Sequence, residues 1–269
     1  MTPASTLPDY ETVTLERDGG VLLIGLDRAA KRNAFTMQML GDLARACAFL
    51  EEDPDLRAGV LFAHGAHFTA GLDMLDVAPA ITAGIDPYPH DGLDPWRLDG
   101  RARTTPLIAV AQGWCLTLGI ELLLACDIRI SSRDARFAQL EVRRGIFPFG
   151  GATLRFPREV GWGNAMRWLV TGDEFDAAEA HRMGLIQHVT PDQPTAVALA
   201  REIAQTIARD AAPLGVRETM ISAHRARFSG DAAAIEQLRP ALREMFGTQD
   251  AAEGLQSFIE RRPARFTGR

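Results

Sequence analysis

The chain has 269 residues, 46% of them hydrophobic and 24% charged, a composition that fits one large globular domain or two small ones and excludes a disordered, collagenous or disulfide-stapled chain. Its formal charge of −6, from 35 acidic against 29 basic residues, with Lys31 the one lysine, disfavours nucleic acid as a partner. The longest nearly unbroken apolar stretch, Trp114 to Cys126, is too short for a bilayer and holds Glu121, so no membrane span is expected.

In chain order, residues 10–26 alternate, turn at Asp18-Gly19-Gly20 and then run apolar, which predicts a β-hairpin. Thr36 is placed to cap a helix carrying Leu40, Leu43, Cys47 and Leu50, which ends before Pro54. Ala58 to Ala63 predicts a buried strand, followed by a Gly-rich loop. A polar, Pro-rich stretch occupies roughly 77–100. A further apolar strand begins after Pro106 and is ended by Gly113. A helix-like run then continues through Cys126, and Asp127 to Ser131 predicts another strand. After about residue 194 the chain is Ala-rich and helical. The rhythm is strand–strand–helix, an α/β core with an all-helical C-terminal extension, and no G-x-G-x-x-G follows the first strand to suggest a dinucleotide fold. The N-terminal stretch has neither a basic n-region nor an apolar h-region, so no signal peptide is expected. Cys47, Cys115 and Cys126 are odd in number and sit in apolar contexts, which predicts buried reduced thiols and a cytoplasmic protein.

Three segments carry candidate chemistry. In Phe68 to Met74 a strand ends among small residues and a helix is expected near Leu72, where unpaired amides can meet an anionic oxygen. Alone, such a junction is more often simply a turn. In Gly113 to Leu122, Glu121 lies about one turn inside a greasy helix, where a carboxylate is costly unless paired or functional. Glu141 follows 20 residues later, and a surface Glu paired with Arg143 or Arg144 is its plain alternative. His64 and His67 flank the first loop without a third ligand, so no metal site is expected.

Together these segments resemble the crotonase superfamily, the enoyl-CoA hydratase/isomerase family. Phe68 to Met74 matches F-x-A-G-x-D-[LIM]. Gly113, Glu121, Leu122, Cys126 and Asp127 match G-x(7)-E-L-x-x-x-C-D. Phe137, Glu141, Gly145, Pro148, Gly150 and Gly151 match the third signature. Ala29 to Phe35 is similar to the early R-P-x-x-R-N-A motif, and Asp176 to Ala180 with Gly184-Leu185-Ile186 to A-x-E-A-x-x-x-G-L-[VI]. The likeness runs from about residue 10 to the end.

The resemblance implies a crotonase-like spiral of repeated ββα units over residues 1–195 and a helical trimerisation region over 196–269. It implies an acyl-CoA thioester substrate, with coenzyme A carried as part of the substrate and no other cofactor. The backbone N–H groups of Leu72 and Leu118 would form the oxyanion hole. Glu121 and Glu141 would be the catalytic acids and bases, Glu141 handling the α-proton and Glu121 positioning or deprotonating water. Lys31, Arg32, Ala34, Ala70, Asp73, Met74, Leu75 and Phe149 would bind the substrate and its coenzyme A. Arg28, Arg261, Arg262, Arg265 and Arg269 are further basic candidates. Two departures stand out: Thr117 and Leu118 replace common glycines, and where many hydratases read P-G-A-G-G this chain reads Pro148-Phe149-Gly150-Gly151, which brings the Phe149 ring near the water. Retention of both glutamates favours an enoyl-CoA hydratase. An enoyl-CoA isomerase or another acyl-CoA lyase is the alternative, and a non-catalytic binding module a more distant one. The resemblance also implies a homotrimer or homohexamer; the Val197, Ala200, Ile203 and Ile207 stripe is expected to need a cover. The acyl group and the pathway are not specified by the sequence.

Overall fold

A computed structural model of the chain describes residues 6–269. Strands β1 (Val13–Asp18) and β2 (Val21–Leu26) form the expected hairpin, with Asp18 opposite Val21. Helix α1 (Met37–Glu52) starts where Thr36 accepts the Met39 N–H at 3.2 Å, satisfying one of the amides a helix start leaves free. Strand β3 (Ala58–Ala63) follows, then α2 (Met74–Thr82), β4 (Leu107–Ala111) and β5 (Trp114–Leu116). Next come α3 (Leu118–Ala125), β6 (Ile128–Ser132), β7 (Arg136–Ala138), α4 (Ala152–Val160) and α5 (Trp162–Leu169). The chain closes with β8 (Phe175–Asp176), α6 (Ala177–Arg182), β9 (His188–Thr190), α7 (Gln193–Asp210), α8 (Pro213–Ser229), α9 (Asp231–Phe246) and α10 (Gln249–Glu260).

One sheet has the order β1-β2-β3-β4-β6-β9, and a smaller one β5-β7-β8. Apart from the β1–β2 and β7–β8 pairs, all neighbours are parallel. Parallel strands must be covered on both faces, and here they are. The spiral interior holds Leu22, Ile24, Leu61 and Ala109 against α1 and α3 residues. The opposite face, with Val21, Leu23, Val60, Ile108 and Ile130, packs on α7. Ala196, Ala200, Ala204 and Ala208 recur every four residues on the buried side of α7, a small-residue stripe that lets the helix approach the strands closely. The 195/196 position falls in the first turn of this helix.

Three expectations change. Residues 114–116 form the short strand β5 rather than the start of a helix, because the segment pairs with β7. Helix α2 starts at Met74, not near Leu72, and takes up the beginning of the 77–100 stretch, with Pro79 inside it. Val197, Ile203 and Ile207 pack on this chain's own sheet, so that stripe gives no reason for a partner. The uncovered apolar residues lie farther on: Ile235, Leu238, Leu242 and Phe246 along α9, with Leu255, Phe258 and Ile259 on α10. The three thiols are free and buried as expected, and burial pushes Cys47 and Cys126 up to about 12. No helix among the described residues is long and apolar enough to cross a membrane.

Candidate active site

Two junctions leave an amide without a partner. Phe35 pairs in parallel with Leu72: its N–H donates to the Gly71 carbonyl at 2.8 Å, and its carbonyl accepts from the Asp73 N–H at 2.8 Å. Such a bridge uses the groups on either side of the central residue, so the Leu72 N–H turns to the opposite side. It is freed by a strand bridge, not by a helix start. The second junction is the start of α3. Thr117 donates its own N–H to the Ala138 carbonyl at 2.9 Å and takes φ 52° and ψ −119°, a conformation costly for a β-branched residue. Leu118 is then the first helical residue, whose N–H has no intrahelical acceptor.

The junctions are in direct contact. Gly71 has φ +90°, and a Cβ there would lie 2.0 Å from Thr117 Oγ1. The parallel bridge of Thr69 with Cys115 joins the same two segments through backbone. Trp96, fully buried within the Pro-rich stretch, donates its indole N–H to the Leu118 carbonyl at 3.0 Å and packs edge-on against Phe35 at 5.4 Å. One ring therefore touches both junctions.

A cavity of about 690 Å³ opens in front of them, lined by Ala70, Leu72, Met74, Trp114, Leu118, Glu141 and Phe149 among others. Glu141 opens a short 3₁₀ turn that ends at Arg144 and presents its carboxyl to this cavity. The hydrogen-bond network assigns the Gln139 amide nitrogen to the side facing Glu141, where it donates to both carboxylate oxygens at 3.0 and 3.1 Å and to the Thr117 carbonyl at 3.2 Å. Glu121 lies deeper, fully buried. Its Oε1 accepts the Ala152 N–H at 2.9 Å, while its Oε2 has no hydrogen-bond partner. Gly150 is what lets the chain pass here, since a Cβ on it would meet Leu118 Cδ1 at 2.4 Å and Glu121 Oε2 at 2.6 Å.

Burial raises the Glu121 carboxyl to about 7 against backbone donation from Ala152 and the charge of Arg155. Burial and then the neighbouring Glu121 charge push Glu141 up to about 7 as well, against a backbone hydrogen bond, and the Gln139 amide, donating to both carboxylate oxygens, draws it back toward the ionised form. Both acids are thus held near neutrality, chiefly by burial, and the Glu121 charge adds to the shift of Glu141.

The remaining sequence candidates divide. Ala70, Met74 and Phe149 line the cavity, and Arg32 stacks 4.7 Å from the Trp114 ring at its edge. Lys31 is exposed in the turn before it. Asp73 instead pairs with Arg28 at 3.0 Å, and Ala34 offers its carbonyl to the same guanidinium at 3.1 Å. Leu75 is 92% exposed and does not reach the cavity. Arg262 is taken by Glu253 at 2.6 Å and by Glu260, and the carbonyl of Arg269 accepts from Asp250 N–H. His67 accepts the Trp114 N–H at 3.1 Å and His64 meets Thr14 Oγ1 at 2.8 Å. No cluster of metal-ligating side chains occurs among the described residues. Gln139 and Trp96 were not among the candidates. Their signals were slight: a polar residue between Phe137 and Glu141 at alternating spacing, and an aromatic isolated in a Pro-rich stretch.

Comparison with known proteins agrees with this architecture. The enoyl-CoA hydratase/isomerase family model matches residues 16–269. A probable enoyl-CoA hydratase of Mycobacterium tuberculosis is 34% identical over 260 residues, covering 97% of this chain and 99% of the relative. An (E)-benzylidenesuccinyl-CoA hydratase of Thauera aromatica is also 34% identical, over 95% of this chain and 99% of its own length. The crystal structure of a probable enoyl-CoA hydratase/isomerase from Mycobacterium abscessus superposes with a TM-score of 0.94 at 55% identity, over 97% of this chain and 100% of that one. The chain belongs to the enoyl-CoA hydratase/isomerase family and has the crotonase fold.

Proposed function

We propose that the protein is an enoyl-CoA hydratase that adds water across the double bond of a 2-enoyl-CoA thioester. The observation that carries this reading is the pair of raised carboxyls, Glu121 and Glu141, behind two unpartnered amides. Leu72 and Leu118 N–H groups take the thioester oxygen. As charge develops there, the fixed donors stabilise the enolate. The ionised member of the glutamate pair takes a proton from water while the water oxygen bonds to the β-carbon. The pair then delivers a proton to the α-carbon: the enolate oxygen re-forms the carbonyl, and the electrons of the enolate double bond take up that proton, leaving the oxygen neutral. Glu141, which lines the cavity, serves the α-carbon and the deeper Glu121, with its free Oε2, holds the water. Coenzyme A comes with the substrate and no other cofactor is required. The site is in a cytoplasmic enzyme on this reading.

The test is to incubate the full chain with crotonyl-CoA and with 3-hexenoyl-CoA. Loss of the conjugated enoyl absorbance from the first supports hydration. Its growth from the second, with no loss from the first, would identify an isomerase instead. Absence of any turnover would favour a binding role.

Phe149 is 43% exposed and faces the cavity, so its ring limits the acyl group. Phe149→Ala is expected to lower KM for acyl chains longer than crotonyl by about 10-fold, with crotonyl-CoA little changed; the increment is that of a few methylenes buried in an apolar pocket. Steady-state kinetics over a chain-length series checks this.

The exposed α9 residues Ile235, Leu238, Leu242 and Phe246 share one helix face, and Phe258 of α10 is 82% exposed. Apolar faces of this extent mark interaction surfaces, and we assign them to self-association as a trimer or a pair of trimers. Sedimentation equilibrium is expected to give three or six times 29.3 kDa. Leu242→Asp is expected to dissociate the assembly.

A further inference from the structure

Behind α8 lies a cavity of about 380 Å³ that shares no lining residue with the active-site cavity. Its wall includes Arg97, Asp127, Arg155, Glu159, His224 and Arg227. Arg129, also on the wall, pairs with Glu159 at 2.8 Å, and Arg103 stands just behind the wall on Asp127 at 2.8 Å. Arg97 adds a weaker contact to Asp127 at 3.4 Å and Arg227 a close one to Glu159 at 2.7 Å. Four arginines thus share two carboxylates, and a fifth, Arg155 on the cavity wall, pairs with neither. Burial and the Arg97 charge hold the His224 ring down to about 4, so His224 is neutral at pH 7 and the cluster carries about three unmatched positive charges.

The unmatched charge coincides with unmatched hydrogen bonding. The Arg97 side chain is only 5% exposed, yet its Nη2 has no hydrogen-bond partner. Arg227 Nε and Nη2 and both ring nitrogens of His224 also lack one. Buried guanidinium groups without acceptors are costly, and the guanidinium fork suits a planar or tetrahedral oxyanion. We propose that this cavity is a binding site for a small oxyanion, a phosphate, sulfate or carboxylate group, held between Arg97 and the Arg227–His224 edge of α8. It locks α8 to the spiral at Asp127 and Glu159 by supplying the charge those two acids do not.

Inorganic phosphate is the probe. Calorimetric titration of the full chain is expected to show one saturable site per chain. At ten times the half-saturating concentration, the unfolding midpoint is expected to rise by about 3 °C over chloride at equal ionic strength. Arg227→Gln is expected to weaken phosphate binding at least about 10-fold. His224→Glu places a carboxylate in the cavity itself; it is expected to raise the midpoint without phosphate and to abolish the phosphate increment. Acetate and sulfate titrations rank carboxylate against tetrahedral anions, and saturable binding of either that His224→Glu abolishes also supports the site. Equal midpoints in phosphate, sulfate, acetate and chloride, with saturable heat for none of the three anions, would overturn the proposal. So would unchanged phosphate binding in both variants, because the anion would then sit elsewhere.

Discussion

Glu141→Gln is expected to lower kcat for crotonyl-CoA hydration about 10²–10⁴-fold, and Glu121→Gln at least about 10²-fold. Both are expected to make the folded protein more stable above pH 7. The opposition follows from the same cause. Each carboxyl is raised from its ordinary value to about 7, first of all by burial. The folded state then binds protons more tightly than the unfolded one between about pH 4.5 and 7. Stability therefore falls as pH rises through that window, and the loss is complete above it. For Glu121 taken alone, the span from 4.5 to about 7 corresponds to about 3 kcal/mol. Glutamine keeps the acceptor for the Ala152 N–H and removes the charge. Thermal scans are thus expected to put Glu121→Gln on the order of 5 °C above the parent at pH 8, with the gap closing by pH 5. Rate and stability moving together in the downward direction would mean that the carboxylate is a structural acceptor and not an acid held ready. For the parent, kcat/KM is expected to be bell-shaped with its maximum close to pH 7, where the pair holds one proton.

What the residues alone revealed depends on how far their physics is local. The β1–β2 hairpin and α1 follow from alternation, a two-glycine turn and a Thr36 cap, all read within a few residues. Strand β5 does not: three residues show no period, and Trp114-Cys115-Leu116 is as apolar as the helix after it. Only pairing with β7 decides its state. Likewise the family-like spacing located Leu72, but the reason its amide is free lies in Phe35, 37 positions earlier in the chain, through the bridge that uses the groups on either side of it. Trp96 and Gln139 are silent for the same reason. Trp96 donates to the Leu118 carbonyl, and Gln139 bridges the Glu141 carboxylate to the Thr117 carbonyl; main-chain acceptors of this kind carry no side-chain signature. Motif similarity alone points to Lys31 and Asp73 for the coenzyme. Asp73 proves to be engaged with Arg28, a pairing between segments that no local pattern encodes.

Gly71→Ala is expected to be as damaging to kcat as loss of a glutamate, although it adds one carbon and removes no functional group. At φ +90° an alanine is strained by about 1–3 kcal/mol. Its Cβ would also fall 2.0 Å from Thr117 Oγ1, so one junction must retreat from the other. Both amides then lose their common focus, and failure of a single donor in such a site costs about 10²–10³ in kcat. The loss is expected in kcat with KM nearly unchanged, because the donors act on charge that appears only as the reaction proceeds. Thr117→Gly separates the two contributions. It takes away the clashing hydroxyl and relieves the positive φ at residue 117, while the strain at residue 71 persists. The double variant is therefore expected to recover at least about 10-fold of the rate lost in Gly71→Ala, a non-additivity that residues not in contact would not show. If Gly71→Ala turns over crotonyl-CoA at the parent rate, or if Thr117→Gly recovers nothing, the contact between the two junctions does not set the position of the Leu72 and Leu118 amides. The oxyanion reading would then have to rest on some other pair of donors.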